Sequence, residues 1–139
     1  QTEIITYVRR KQTHKVVSVF DKNGNLIHQT FYNERGEMNN ELKYKYNSDN
    51  RLIEEFRWTE SRTSYYYYEY DMYGNLLLFT GRDINTNLPS MYDEYKTVEL
   101  YERNEYTYDD HGNWILRISY LKKDKPYTYT ERTIIYYPD

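Results

Sequence analysis

The chain has 139 residues, with 20 Tyr, 4 Phe and 2 Trp against 24 Ile, Leu and Val, and it contains neither Ala nor Cys. Absence of the best helix former beside an excess of a strand-favouring aromatic excludes a helix-dominated fold, and without cysteine neither a disulfide framework nor a thiolate metal site can form. Nineteen basic against 22 acidic residues leave a net charge of -3, which offers no general attraction for nucleic acid or an anionic membrane. From the N-terminus, strands are expected at about 3–10, 14–20, 25–32, 37–46, 52–59, 64–70, 75–82, 92–108, 113–121 and 126–137. Alternation supports them: Leu52, Glu54, Phe56 and Trp58 oppose Ile53, Glu55 and Arg57, and Trp114, Leu116, Ile118 and Tyr120 oppose Ile115, Arg117 and Ser119.

Five of the intervening segments share one pattern: an aromatic, Asp or Asn, two variable residues, Gly or Asn, a polar residue and a large apolar one. They are Phe20 to Leu26, Tyr32 to Met38, Tyr46 to Leu52, Tyr70 to Leu76 and Tyr108 to Trp114. The anchors Asp21, Asn33, Asn47, Asp71 and Asp109 accept hydrogen bonds from N–H groups further along the turn. Gly24, Gly36, Gly74 and Gly112, with Asn50 in their place in the third unit, take the left-handed position that follows a type I turn. This geometry sets the aromatic before the anchor opposite the apolar residue after the turn. Further turns are expected at Glu60 to Thr63, at Asn85 to Ser90 around Pro89, and at Lys122 to Lys125. Sequential hairpins give an all-β fold: one domain over residues 1–139, an antiparallel meander of about nine to ten strands in a curled or barrel-like sheet, with a sandwich as the second choice.

Chemistry-bearing clusters reduce to turns and solvated loops. Asp109-Asp110-His111 is an anchor followed by two solvent-facing turn positions. The run Asp21 to Asn25 fails as a calcium loop, because Gly24 is fourth rather than sixth and Tyr32 stands where a Glu is needed. Glu54-Glu55 and Asp93-Glu94 are adjacent on strands, so each pair splits between two faces. His14, His28 and His111 have no metal spacing, no nucleophile elbow or phosphate loop is present, and no cofactor is expected. Arg9-Arg10-Lys11 and Lys122-Lys123-Lys125 sit at hairpin tips, where charge keeps a loop wet, so no nucleic-acid partner is expected. The longest apolar run, Leu76 to Phe79, is far below the roughly 18 residues of a membrane helix.

Tyrosines carry the remaining signal. On the strand that follows Arg62, Tyr66, Tyr68 and Tyr70 share one face, and with Trp58 or Trp114 they form the candidate binding surface, their rings available to stack on sugars or a partner. A non-enzymatic binding module for carbohydrate or a protein of the cell envelope is the expected function, and a purely structural or assembly role the alternative. Weak self-association through strand edges is expected. The chain begins at Gln1 rather than Met, as expected where a secretory signal or another leading segment has been removed.

Tyr70-Asp71-Met72-Tyr73-Gly74-Asn75-Leu76 and Tyr108-Asp109-Asp110-His111-Gly112-Asn113-Trp114 resemble the tyrosine-aspartate repeats of Rhs-type bacterial surface proteins. Tyr106 through Tyr120, with Thr130 through Tyr137, is similar to the C-terminal part of small exported proteins of Gram-negative bacteria that carry such repeats. Asp21 through Met38 also resembles MORN-type hairpin repeats. The resemblance implies curled sheets that act as shells or adhesive stalks, secretion to the periplasm or outer surface, and carbohydrate as a partner.

Overall fold

The computed structural model describes residues 2–9, 13–89, 91, 96–122 and 124–137. Its strands are β1 (Thr2–Arg9), β2 (Thr13–Phe20), β3 (Leu26–Tyr32), β4 (Met38–Tyr46), β5 (Leu52–Thr59), β6 (Arg62–Tyr70), β7 (Leu76–Asn85), β8 (Thr97–Tyr108), β9 (Trp114–Lys122) and β10 (Lys125–Glu131). They follow one another in sheet order from β1 to β10, the antiparallel meander that consecutive hairpins produce. The order ends at β1 and β10 without a bridge between them, so among the described residues the sheet is open and the barrel alternative is not adopted. Chain contacts divide into two compact units, residues 1–67 with 81–99 and residues 68–80 with 100–139.

The five turn units explain the register. In each, the anchor N–H donates to the carbonyl four residues on at 2.9 or 3.0 Å, and the anchor carbonyl accepts from the residue three on. The anchor side chain adds two more bonds, its Oδ1 accepting from the N–H groups two and four residues ahead at 2.8 to 3.0 Å. Closing this ring requires a left-handed residue, and φ is +85° at Gly24, +77° at Gly36, +92° at Gly74, +78° at Gly112 and +60° at Asn50. The extra residue makes a bulge that sets Phe20 opposite Leu26, Tyr32 opposite Met38, Tyr46 opposite Leu52, and Tyr108 opposite Trp114.

Elsewhere the chain departs from the sequence expectation. The β5–β6 turn is two residues, Glu60 and Ser61, rather than Glu60 to Thr63, because Thr59 already pairs with Arg62. Asn50 is the only described non-glycine residue with positive φ, so this tight turn lacks the primed geometry that suits strand twist. It is braced instead: Thr59 Oγ1 accepts the Arg62 N–H at 3.1 Å, and Thr86 donates its N–H to the Ser61 carbonyl at 3.0 Å and its hydroxyl to the Glu60 carbonyl at 2.9 Å. Strand β7 runs to Asn85, beyond the expected 82. The expected strand start at 92 falls on residues 92–95, outside the described residues, and β8 begins at Thr97. Strand β10 stops at Glu131 instead of reaching 137. Glu131 pairs with Leu116, and β9 starts two residues earlier at Trp114, so after the Arg132 N–H bond to the Ile115 carbonyl little partner strand remains.

Among the described residues no apolar side chain is fully buried. The buried ones are Thr30, Glu55, Ser64, Asn104 and Ser119, and the polar groups are paired. Asn104 and Ser119, opposite each other in register, illustrate how: Ser119 donates to Asn104 Oδ1 at 2.6 Å, and Asn104 Nδ2 donates to Glu102 at 3.0 Å. Satisfied in this way, burial of the amide carries little of its usual cost. Most aromatic and aliphatic residues are half-buried against cross-strand neighbours.

Candidate functional site

The residues proposed from sequence as a binding face do not all meet. Trp58 pairs with Thr63 and therefore shares the face of Tyr65 and Tyr67, whereas Tyr66 pairs with Glu55 and lies on the other side. On β6 the more exposed rings are Tyr65 and Tyr67, at 38% and 50%, while Tyr66, Tyr68 and Tyr70 are half-buried. Tyr68 packs on Phe79 with ring centres 5.3 Å apart. Trp114 is held edge-on by Tyr106 at 6.2 Å and covered by the Arg132 guanidinium at 4.0 Å, so its ring already has occupants.

Tyr66 is fixed from three sides. Its hydroxyl donates to Asp83 Oδ1 at 2.8 Å, the Arg57 guanidinium lies 5.2 Å above its ring, and the ring crosses β7 at Gly81. A Cβ on Gly81 would fall 2.6 Å from Tyr66 Cδ1, which is why a glycine interrupts this strand. Beside Tyr66 a groove of about 280 Å³ crosses β4, β5 and β6, lined by Asn40, Leu42, Tyr44, Arg57, Ser64 and Tyr66. Arg62 and Thr59 close its end. Beneath it, Arg57 Nε bonds the buried Glu55 at 2.6 Å, and Arg62 stands 3.8 Å from Asp83. Burial would raise the Asp83 carboxyl, but bonds from Ser64 and Tyr66 and the charges of Arg62 and Arg57 outweigh it and hold the group below the usual carboxylate range. Asn40 Oδ1 is shielded from solvent, and no described donor reaches it. An orphaned acceptor of this kind costs about 1–3 kcal/mol.

The turn anchors take part in a second arrangement, built from their outer oxygens. In the fourth and fifth units Asp71 and Asp109 each accept a phenol from further along the chain: Tyr108 donates to Asp71 Oδ2, and Tyr136 to Asp109 Oδ2. Asn75 Nδ2 donates to both Asp71 Oδ2 and Tyr108 Oη, at 3.1 and 3.0 Å, and Asn113 Nδ2 donates to Tyr136 Oη at 2.7 Å. Tyr73 packs tilted against Tyr108 with ring centres 4.6 Å apart, and His111 stacks 4.1 Å from Tyr136. Burial and the bond to Asp71 push Tyr108 up to about 12. For Asp71, the bonds from Tyr108, Asn75 and the Tyr73 N–H outweigh burial and hold the carboxyl low. In the other compact unit, the first and third turns are tied by Asn23 and Asn25, whose Nδ2 groups both donate to Asn50 Oδ1 at 2.9 Å.

This interlocking of Tyr and Asp between turn units is accompanied by a sequence profile of the teneurin YD-shell family, which matches residues 1–135. The chain belongs to the YD-shell family. A comparison with curated proteins finds no match. In this YD-shell chain the two units that keep Tyr-Asp unaltered, at 70–71 and 108–109, are those joined by the Tyr108–Asp71 bond. Among the described residues no three His, Asp or Glu side chains gather as a metal site. Asn40, Arg57, Arg62, Ser64 and Asp83 were not singled out from sequence. Their juxtaposition depends on the two-residue turn at Glu60-Ser61, which places Arg57 opposite Ser64 and which no local sequence signal announces.

Proposed function

We propose that this YD-shell chain is a wall segment of a surface or secreted protein and has no enzymatic activity. One observation carries the reading: among the described residues no apolar side chain is fully buried, while five turns of one geometry fix the strand register. A sheet built this way is stabilised by its ladder and its edge bonds, and both faces remain available as the surfaces of a wall. Native-state amide exchange tests it. A wall requires protected ladder amides in β3 to β6 that weaken together in Asn47→Ala, whereas exchange of those amides within seconds would overturn the reading.

A finer reading places the chain in the envelope of a Gram-negative bacterium and gives its Tyr66 face a saccharide or envelope-protein partner. What favours a saccharide is the groove of about 280 Å³ beside Tyr44 and Tyr66, where aromatic and hydrogen-bonding groups converge. Screening the chain against immobilised glycans, with tryptophan fluorescence as a second readout, is the direct test, and absence of any binding would sink it.

A further inference from the structure

We infer that the groove across β4, β5 and β6 is selective for an acidic saccharide, its carboxylate held between Arg57 and Arg62. The inference rests on the saccharide reading of the Tyr66 face and goes beyond it in naming the ligand charge and the residues that read it.

The register places the two cations. Arg57 pairs with Ser64 and Thr59 with Arg62, so Arg57 and Arg62 are diagonal neighbours on one face, a relation that sets Cα atoms roughly 7–8 Å apart and within reach of long side chains. Each guanidinium has a carboxylate neighbour and is partly in solvent. Arg57 commits its Nε to Glu55, among the described residues Arg62 has the Asp83 oxygen at 3.8 Å as its ionic partner, and their side chains are 53% and 61% exposed. The remaining N–H groups form two donor edges over the groove, the geometry that recognises a carboxylate. Glu55 and Asp83 balance the formal charge, but they are 5% and 15% exposed whereas the arginines are half in water. A guest carboxylate arriving from solvent therefore meets the cations first.

The rest of the groove suits a polyhydroxyl body rather than a bare anion. Tyr44 and Leu42 give an apolar flank on the same face, since Leu42 pairs with Arg57 and Tyr44 with Glu55. Arginine donors beside a tyrosine row, with Tyr44 and Tyr66 both opposite Glu55, match a hexuronate unit, whose carboxylate and ring face are neighbours.

Titration of the full chain with a galacturonate trisaccharide, its methyl ester and the neutral galactose trisaccharide, followed by amide chemical shifts, tests the inference. The expected result is binding of the acid with shifts at Arg57, Arg62, Ser64 and Tyr66, and at least tenfold weaker binding of the ester and the neutral sugar. Arg62→Gln should weaken the acid about tenfold with an unchanged melting temperature. Tyr44→Leu should weaken it several-fold, because the ring that flanks the sugar is lost. Equal binding of neutral and acidic sugars would overturn this inference and leave the saccharide reading standing. Binding by none of them would overturn both. Acid binding that is indifferent to Arg62→Gln and Tyr44→Leu, with shifts elsewhere, would overturn the placement.

Discussion

The phenol of Tyr108, the residue that opens the fifth turn unit, donates its hydrogen bond to Oδ2 of Asp71, the anchor of the fourth. The aspartate thus has two tasks: its Oδ1 closes its own turn through the Tyr73 and Asn75 N–H groups, and its Oδ2 receives the next unit. The bond works in both directions on acidity, holding Asp71 low and Tyr108 high.

The pH consequence follows from those directions. The folded carboxyl of Asp71 lies below its ordinary value of 3.8, so its stabilisation is present above that pH and is lost as pH falls through the folded value. Tyr108 is raised from 10.0 to about 12, so its contribution is intact below pH 10 and is lost as pH rises toward 12. Several tyrosines are raised, and Tyr108, at about 12, should contribute to the late part of an absorbance titration near 295 nm, a part that shrinks in Asp71→Asn. A titration of Asp71→Asn identical to that of the parent chain would disprove the pairing.

Gly81 and Tyr66 should be coupled. Gly81→Ala forces a Cβ against the ring at 2.6 Å and the Tyr65 carbonyl at 3.1 Å, and overpacking of this kind costs about 1–3 kcal/mol. In a Tyr66→Ala background the ring clash is gone, so the cost should fall by about half, as read by urea denaturation of the four-member cycle. Strict additivity would show that the close approach is absent in solution.

Gly36 offers the cleaner measure of backbone strain, since nothing lies within 4 Å of its added Cβ and φ is +77°. Gly36→Ala should cost about 1–2 kcal/mol from the left-handed conformation alone, and Gly36→Asn clearly less. Asn50, which holds the same place at +60°, is the internal precedent.

The two groove arginines should differ in their effect on stability. Arg57→Ala removes the 2.6 Å charged partner of the buried Glu55, and a loss of about 1–2 kcal/mol is expected, below the 3–5 of a fully buried pair because the guanidinium is half in water. Arg62→Ala should cost under about 1 kcal/mol. Comparable losses for the two variants in thermal unfolding would contradict this ranking.

Much of this was legible from particular residues. Asp or Asn followed three positions later by Gly or Asn has few conformational outlets, so the turns, their left-handed residues and the antiparallel meander follow from local chemistry, whereas whether the sheet closes does not. The two-residue turn at Glu60-Ser61 was not legible, because its stability comes from Thr86, far along the chain. The candidate face suffered in consequence: runs of tyrosine alternate faithfully, yet which face is covered depends on partners such as Gly81, Asp83 and Arg57 that local sequence does not announce. The uneven spacing of the anchors also has a topological origin. The fourth and fifth anchors are separated by two strands and a connection whose sequence lacks the repeat, since Asp93 is followed three positions on by Lys96 rather than Gly or Asn.

A sheet in which no described apolar side chain is fully buried should also have an unusual thermal signature. The heat capacity increment of unfolding comes from newly wetted apolar area, about +0.45 cal/K/mol per Å², offset by about -0.26 for polar area. Half-buried tyrosines and buried Thr, Ser and Asn expose little of the first and much of the second. The increment should therefore fall below the usual 12–15 cal/mol/K per residue, and the curve of stability against temperature should be broad and shallow. Such a chain would keep much the same modest stability across a wide span of temperatures, with cold unfolding displaced far below freezing.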